Sequence, residues 1–363
     1  MHNNVFVKLN FIRLQNFRNV EFAEVKFDSN SIWIYGNNAQ GKTNLLEAIG
    51  MLNALRSFRT SATDILIRQG AKQANILVSA ESELFGECIV ELNLAQTKSI
   101  FIDGEKISKL GDFLGKFPVL AITNEDPKLL RGAPEVRRKD MDMFISSIDS
   151  QYFEDLRRYH KALSQRNALL RDTSNDSQLF NAFEFEMATS ADTVLQKRKL
   201  YLDELAKIAT EKYAILSAES NECAEINLKP NCDANSVQEF QQLWLKNRHS
   251  DIEKHTTQKG IHRDDYKIFI IGKDAKLYAS EGQQKSAAIA IRLAQFEMLK
   301  KYLKTEPIIL CDDILGELDA SRRNRFWDST SNSAQIIATA TEPPATNAQR
   351  KWKTINAING SFK

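Results

Sequence analysis

The sequence predicts an α/β fold of P-loop type: a mixed sheet around a P-loop helix, an antiparallel β meander, and a short helical second lobe. Three observations predict it. Gly36-Asn37-Asn38-Ala39-Gln40-Gly41-Lys42-Thr43 satisfies every fixed position of G-x-x-x-x-G-K-[ST]. The loop follows an apolar strand pattern, Ser31–Tyr35, and runs into a helix pattern opening at Asn44-Leu45-Leu46-Glu47. Strand-rich character before residue 120 and after residue 255 brackets a helix-favouring middle.

Element by element, residues 5–14 and 20–27 read as strands flanking Asn16-Phe17-Arg18-Asn19. Residues 74–82, 86–95 and 98–103 read as a meander with turns near Leu84-Phe85-Gly86 and Gln96-Thr97. Pro134 to Arg171 favours helix, and helix resumes from Gln178 to about Ser217, after the polar run Asp172–Ser177. Leu195, Leu202, Leu205 and Ile208 keep helical spacing, which predicts an antiparallel helical hairpin. Farther on, Tyr266–Ile271 and Lys276–Tyr278 read as a hairpin around Gly272-Lys273-Asp274. A helix follows over 282–303, then strands at Pro307–Asp312 and Gln335–Ala340 and an edge strand at Trp352–Ile358. Residues 344–363 carry no acid and read as a solvated basic tail. The division this predicts is 1–130 and 256–363 for the two parts of a head, with 131–255 as the helical lobe.

Composition sets wider bounds. With 363 residues and 42% hydrophobic, the chain can bury a sizeable core. A net charge of +2, from 49 basic and 47 acidic residues, leaves any anionic partner to local patches. Cys88, Cys223, Cys232 and Cys311 show no CxxC spacing, so reduced thiols are expected rather than a zinc site or disulfides. No signal-peptide pattern and no membrane-length apolar run is visible, which predicts a soluble, cytoplasmic protein.

The glycine loop can turn backbone N–H groups toward phosphate oxygens, aided by the positive end of the helix behind it. Lys42 then reaches the β- and γ-phosphates and Thr43 places its hydroxyl on Mg²⁺, so the chain is expected to bind ATP. Ile308-Ile309-Leu310-Cys311-Asp312-Asp313 is an apolar strand ending in two acids. Asp312 is the metal-side candidate, and Asp313 is the candidate for orienting or deprotonating the attacking water. Ser280-Glu281-Gly282-Gln283-Gln284-Lys285 opens a helix, a second anion-binding arrangement. With Gly316-Glu317-Leu318-Asp319, these elements stand in the order of an ABC-type ATPase head.

Six pieces then resemble the RecF family of bacterial DNA replication and repair proteins. They are Leu14–Asn19, Ser57-Phe58-Arg59-Thr60, Asn124-Glu125-Asp126 with Gly132 and Arg137-Arg138, Gly260–Asp265, Ala279–Lys285, and Asp312–Arg323. The departures are Val20, Asn124, Pro127-Lys128 and Ile261, none at a phosphate or metal position. The resemblance implies an ABC-type head, ATP-driven homodimerisation, binding to gapped or single/double-strand junction DNA, and a weak DNA-stimulated ATPase that resets the clamp. It also implies RecO- and RecR-like mediators that help load RecA. Its nucleotide-binding set here is Gly36, Asn37, Asn38, Ala39, Gln40, Gly41, Lys42, Thr43 and Asn44 in one head. Ser280, Gly282 and Gln283 act in the partner head, with Asp319 at the dimer interface. Asn38 would approach the γ-phosphate, with Thr339 or Thr341 near the γ-phosphate switch position. Asp313 stands where many such heads carry glutamate.

Other readings remain. An SMC-like DNA tether needs arms of hundreds of residues, and the helical section here is under about 120. A transporter-driving ATPase fits the helical middle poorly, and a RecF-related ATPase repurposed in defence is an open alternative. His262-Arg263-Asp264 does not open a kinase loop, because Phe269 occupies the required asparagine position. Arg137-Arg138-Lys139, Arg157-Arg158 and Arg322-Arg323 are candidate DNA-phosphate contacts.

Overall fold

A computed structural model describes residues 5–60, 62–83, 85–172, 176–217, 222–331, 333–344 and 350–363. In chain order the elements begin with β1 (Val5–Phe17), β2 (Val20–Lys26), β3 (Ser31–Tyr35) and α1 (Lys42–Ala54). They continue with β4 (Ala74–Ser82), β5 (Gly86–Leu94), β6 (Ser99–Ile102), β7 (Glu105–Lys106) and β8 (Val119–Thr123). Then come α2 (Lys128–Arg131), α3 (Pro134–Ile148), α4 (Ser150–Arg171), α5 (Ser177–Ser217), β9 (Ala224–Lys229) and α6 (Val237–Glu253). β10 (Asp265–Ile270), β11 (Lys273–Asp274), α7 (Ala275–Tyr278) and α8 (Glu281–Leu303) follow. The last are β12 (Thr305–Glu306), β13 (Ile308–Asp312), α9 (Ala320–Asp328), β14 (Ile336–Ala340), β15 (Lys353–Ile358) and β16 (Ser361–Phe362).

The chain divides into two compact units. One holds Met1–Asp126 and Ile289–Lys363 with the short stretch Ile215–Ala218; the other holds Pro127–Ala214 and Glu219–Ala288. The boundary differs from the division predicted at residue 255. Residues 256–288 group with the helical part because β10 pairs with β9 along its whole length and packs against α3.

In the first unit, a sheet of order β16-β15-β3-β14-β13-β8 has parallel neighbours from β15 to β8. β3, β13 and β14 are apolar throughout or nearly so, as strands covered on both faces must be. A second sheet, β12-β1-β4-β5-β6-β7 with β2 also on β1, is antiparallel apart from β12. Its strands alternate, as in β5, where Cys88, Val90, Leu92 and Leu94 are buried. α1 packs against strands of both sheets. Leu45, Leu46, Ile49 and Leu52 join Ile34 and Leu310 from the first sheet and Ile12, Ile76 and Val90 from the second in one core.

The tail expectation is corrected here. β15 is an inner strand, bonded to β3 on one side and β16 on the other, so residues 353–362 belong to the sheet. Arg350 is half-buried, donating to Thr330 Oγ1 at 3.0 Å and lying over the Trp327 ring. Residues 345–349 lie outside the described residues, as do Leu84 and residues 173–175 of the predicted turns.

In the second unit, α4 and α5 run antiparallel: Tyr152 lies near Arg198 and Arg166 near Glu184. The predicted helix over 134–171 is in fact two, broken where Asp149 leaves helical geometry and caps α4 through the Tyr152 N–H. Arg166, fully buried, donates to Glu184 at 3.0 Å and Asp251 at 2.8 Å. Arg198, also buried, joins Asp142, Asp264 and Tyr152. Both guanidiniums have carboxylate partners, the condition for burying such charges. β9 went unpredicted within a helix-favouring stretch. Residues 276–278 form helix α7, not the second arm of a hairpin, because Asp274 caps a helical turn through the Lys276 N–H.

Candidate functional site

β3 ends at Tyr35, and residues 36–41 lead into α1. Gly36 and Gly41 take φ of 150° and 97°, and Ala39 takes 64°. A side chain at Gly36 would collide with the Ala357 carbonyl of the neighbouring β15, so glycine is required on steric as well as dihedral grounds. The Lys42 side chain folds back over the loop, its ammonium donating to the Gly36 carbonyl at 2.7 Å and the Asn37 carbonyl at 3.0 Å. That places one positive charge at the mouth of the loop, beside the α1 N-terminus.

β13 delivers Asp312 to the adjacent strand end. Thr43 Oγ1 donates to Asp312 Oδ1 at 2.9 Å, and Thr339 Oγ1 from β14 donates to the same oxygen at 2.9 Å. Burial raises the Asp312 pKa, and the two hydroxyl hydrogen bonds oppose that rise. Two hard oxygen donors, Thr43 Oγ1 and Asp312, therefore converge at one point. Among the described residues no cluster of three or more His, Cys, Asp or Glu could hold a metal. This donor set fits Mg²⁺, which binds through one or two protein oxygens together with substrate phosphates.

Asp313 has φ 54°, a conformation that non-glycine residues seldom take, and its N–H donates to Thr339 Oγ1 at 3.1 Å. Its carboxylate makes no capping hydrogen bond to the short helical turn that follows. The second acid is partly exposed while the first is buried. Thr339 touches both acids; Thr341 has left the strand.

Other chain segments brace the loop. Asn19 Nδ2 donates to the Ala39 carbonyl at 3.3 Å, and Asn44 Nδ2 donates to Asn19 Oδ1 at 2.7 Å. The β15–β16 turn closes the other side, where the Asn359 N–H meets Gln40 Oε1 at 2.6 Å and the Gly360 N–H meets the Gln40 carbonyl at 3.0 Å. Behind the loop, Glu47 of α1 is fully buried. Arg18 grips both its oxygens at 2.9 and 2.7 Å, Arg59 reaches it at 3.3 Å, and Ser57 donates its hydroxyl. Arg59 also donates to Asn44 Oδ1 at 3.0 Å. Sequence reasoning missed Glu47 and the Asn359-Gly360 turn. A signal for Glu47 existed: it is the lone acid in the apolar run from Leu45 to Ile49.

Asn38 is exposed, and its carbonyl accepts from Gln40 Nε2 at 3.3 Å. Asp319 caps α9, accepting from the Arg322 N–H at 2.8 Å. That hydrogen bond, with the Arg322 charge, holds its pKa below the usual carboxylate value.

The Ser280–Lys285 element lies in the second unit. Ser280 and Gln283 form a reciprocal capping box at the start of α8, with Ser280 N–H to Gln283 Oε1 at 2.9 Å and Gln283 N–H to Ser280 Oγ at 3.2 Å. Gln283 Nε2 also donates to Glu222 at 2.6 Å, which fixes its side chain. Ser280 is exposed, Gly282 partly so.

Of the basic pairs, Arg137 is held by Asp265 at 2.7 and 2.9 Å and is no surface contact. Arg157 and Arg158 remain exposed, each beside an acid of its own helix.

Residues 8–361 match the family description RecF/RecN/SMC N terminal domain. The chain is 30% identical to the DNA replication and repair protein RecF of Clostridium perfringens (strain SM101 / Type A), covering 97% of this chain and 98% of that one. It is 35% identical to the protein of that name from Leptospira interrogans, covering 92% of each. A solved structure of the recombination mediator protein RecF-ATP in the RecFOR pathway superposes with a TM-score of 0.92 at 29% identity, covering 100% of this chain and 99% of that one. The Smc head domain from Pyrococcus furiosus shares the fold at a TM-score of 0.54 and 17% identity, covering 99% of this chain and 96% of that one.

Proposed function

The chain belongs to the RecF family, and from that premise we propose that it is an ATP-dependent DNA-binding protein of recombinational repair and replication restart. The observation that carries the reading is the Thr43–Asp312 hydrogen bond of 2.9 Å at the end of the glycine loop. It joins the P-loop hydroxyl to the strand-end carboxylate where a nucleotide-bound Mg²⁺ needs both oxygens. Thr43 Oγ1 and the Asp312 carboxylate would hold Mg²⁺, which would supply charge neutralisation at the nucleotide phosphates. Lys42 turns from the Gly36 and Asn37 carbonyls to the phosphates, and the N–H groups of residues 36–44 wrap them. Asp313 orients the attacking water and accepts its proton. An aspartate reaches one methylene less far than a glutamate, which suits slow turnover.

Ser280, Gly282 and Gln283 of one head meet the nucleotide of a second head, with Asp319 at that interface, so ATP joins a homodimer around DNA. Weak, DNA-stimulated hydrolysis then releases it. RecO- and RecR-like mediators and RecA are the partners that the family membership supports. The RecFOR pathway named for the solved relative supports the RecO- and RecR-like mediators.

Mass in solution, measured by light scattering with and without ATP-Mg²⁺ and a gapped duplex, tests the proposal. A shift from monomer to dimer with ATP, and retention of DNA, is expected. Ser280→Arg, which adds bulk and charge at the proposed interface, should keep ATP binding and lose the dimer. A monomer under every condition, or a normal dimer in that variant, refutes the composite site.

A further inference from the structure

Arg137-Arg138 and Gly260–Asp265 lie outside the P-loop site, yet within the second unit they converge. Arg137 is consumed inward by Asp265. Arg138 turns elsewhere: its Nη1 donates to the backbone carbonyl of Asp264 at 2.8 Å. Arg263 is exposed, and its Nε donates to the Thr257 carbonyl at 3.2 Å. Neither Arg138 nor Arg263 has a carboxylate partner among the described residues, unlike Arg137, Arg166, Arg198 and Arg248.

His262 precedes Arg263 in the chain, and its ring is fixed at both nitrogens. The Tyr159 hydroxyl meets its Nδ1 at 2.6 Å, and its Nε2 faces the Thr257 carbonyl at 3.2 Å. Gly260 permits that approach, since a Cβ there would stand 2.6 Å from the Tyr159 hydroxyl oxygen. Exposed His160 follows Tyr159 on α4, its ring 5.6 Å from the Tyr159 ring. The nearby acid points away: the Asp264 carboxylate accepts from Arg198 at 2.9 Å and from the Asn231 N–H at 2.8 Å. Burial first, and then the neighbouring Arg263, His160 and Arg138, push the His262 pKa down to about 4.

We propose that Arg138, His160 and Arg263 form a phosphate-binding surface of the second unit that contacts the backbone of a DNA strand. The three residues come from α3, α4 and the turn before β10, so the surface exists only in the folded unit. Guanidiniums whose remaining N–H groups lack carboxylate partners are suited to bidentate phosphate contacts, which position a strand without reading its sequence. The site deepens the DNA-binding reading above and rests on it.

Fluorescence anisotropy of a labelled gapped duplex with the full chain, in ATP-Mg²⁺ and across a salt series, tests it. Replacing one phosphate-contacting cation makes the slope of log K against log salt shallower by about 0.9, which is roughly a fivefold loss of affinity at about 0.15 M salt. Arg263→Gln and Arg138→Gln should each show this, with ATP affinity and the thermal midpoint unchanged. If Arg138→Gln fails to fold because the Asp264 carbonyl loses its donor, Arg263→Gln carries the test at an exposed position. Wild-type affinity and slope in the folded variants overturn this surface alone. A wild-type chain that binds no duplex at all overturns the DNA-binding reading and this surface with it.

Discussion

Removing the Glu47 carboxylate should destabilise the first unit more than any change to an exposed charge. Glu47 has no accessible surface, while the side chains of its partners Arg18 and Arg59 are 16% and 40% exposed. Breaking a buried ion pair from one side costs about 3–5 kcal/mol, because the partner charge is left unpaired. Arg59 can turn to water, so only Arg18 is stranded, and the Ser57 hydroxyl loses its acceptor. The lower end, about 3 kcal/mol for Glu47→Ala, is therefore expected. Glu47→Gln keeps the shape and one acceptor oxygen and should lose about half as much. Trp33, Trp327 and Trp352 lie in the first unit, so tryptophan fluorescence during urea unfolding is weighted toward it. A loss below about 1 kcal/mol in Glu47→Ala would mean that the guanidiniums resettle freely, and the bracing role assigned to Glu47 would be wrong.

Lys42→Ala should abolish tight ATP binding in calorimetry; retained micromolar affinity would remove the P-loop assignment. Asp313→Asn should trap an ATP-bound dimer, whereas unchanged phosphate release would remove Asp313 as the hydrolytic residue. His262, with its pKa near 4, takes up a proton in the unfolded chain below about pH 6.5 but not in the folded chain. The stability this gives is present in full above pH 6.5 and is lost as pH falls toward 4, to a limit of about 3 kcal/mol. The thermal midpoint should therefore fall more steeply over that window in the wild type than in His262→Gln, and equal slopes would contradict it.

The legible part of the site is the part written in contiguous residues. Gly36–Thr43 must be a loop entering a helix, because its glycines and lysine carry their requirement locally. The apolar run before Asp312 predicts a buried strand with an acid at its end for the same reason. The ends of β4 and β5 and the span of α8 fall within a residue or so of expectation, since alternation and helical spacing are properties of short windows. Residues 353–358, in contrast, read as an edge strand because pairing on a second side leaves no trace in one strand's own pattern.

The sequence by itself determined the order of the glycine loop, the Ser280–Lys285 element and the strand-end acids, and the family. Only the tertiary structure decided that Arg18 and Arg59 share one buried carboxylate, that Asn359 and Gly360 close the glycine loop, and that Arg137 pairs with Asp265 while Arg138 donates to the Asp264 carbonyl. Those contacts join residues 12 or more positions apart, with the Asn359–Gln40 contact spanning 319. Their energies depend on which charges the fold buries together, and a local pattern of residues does not encode that.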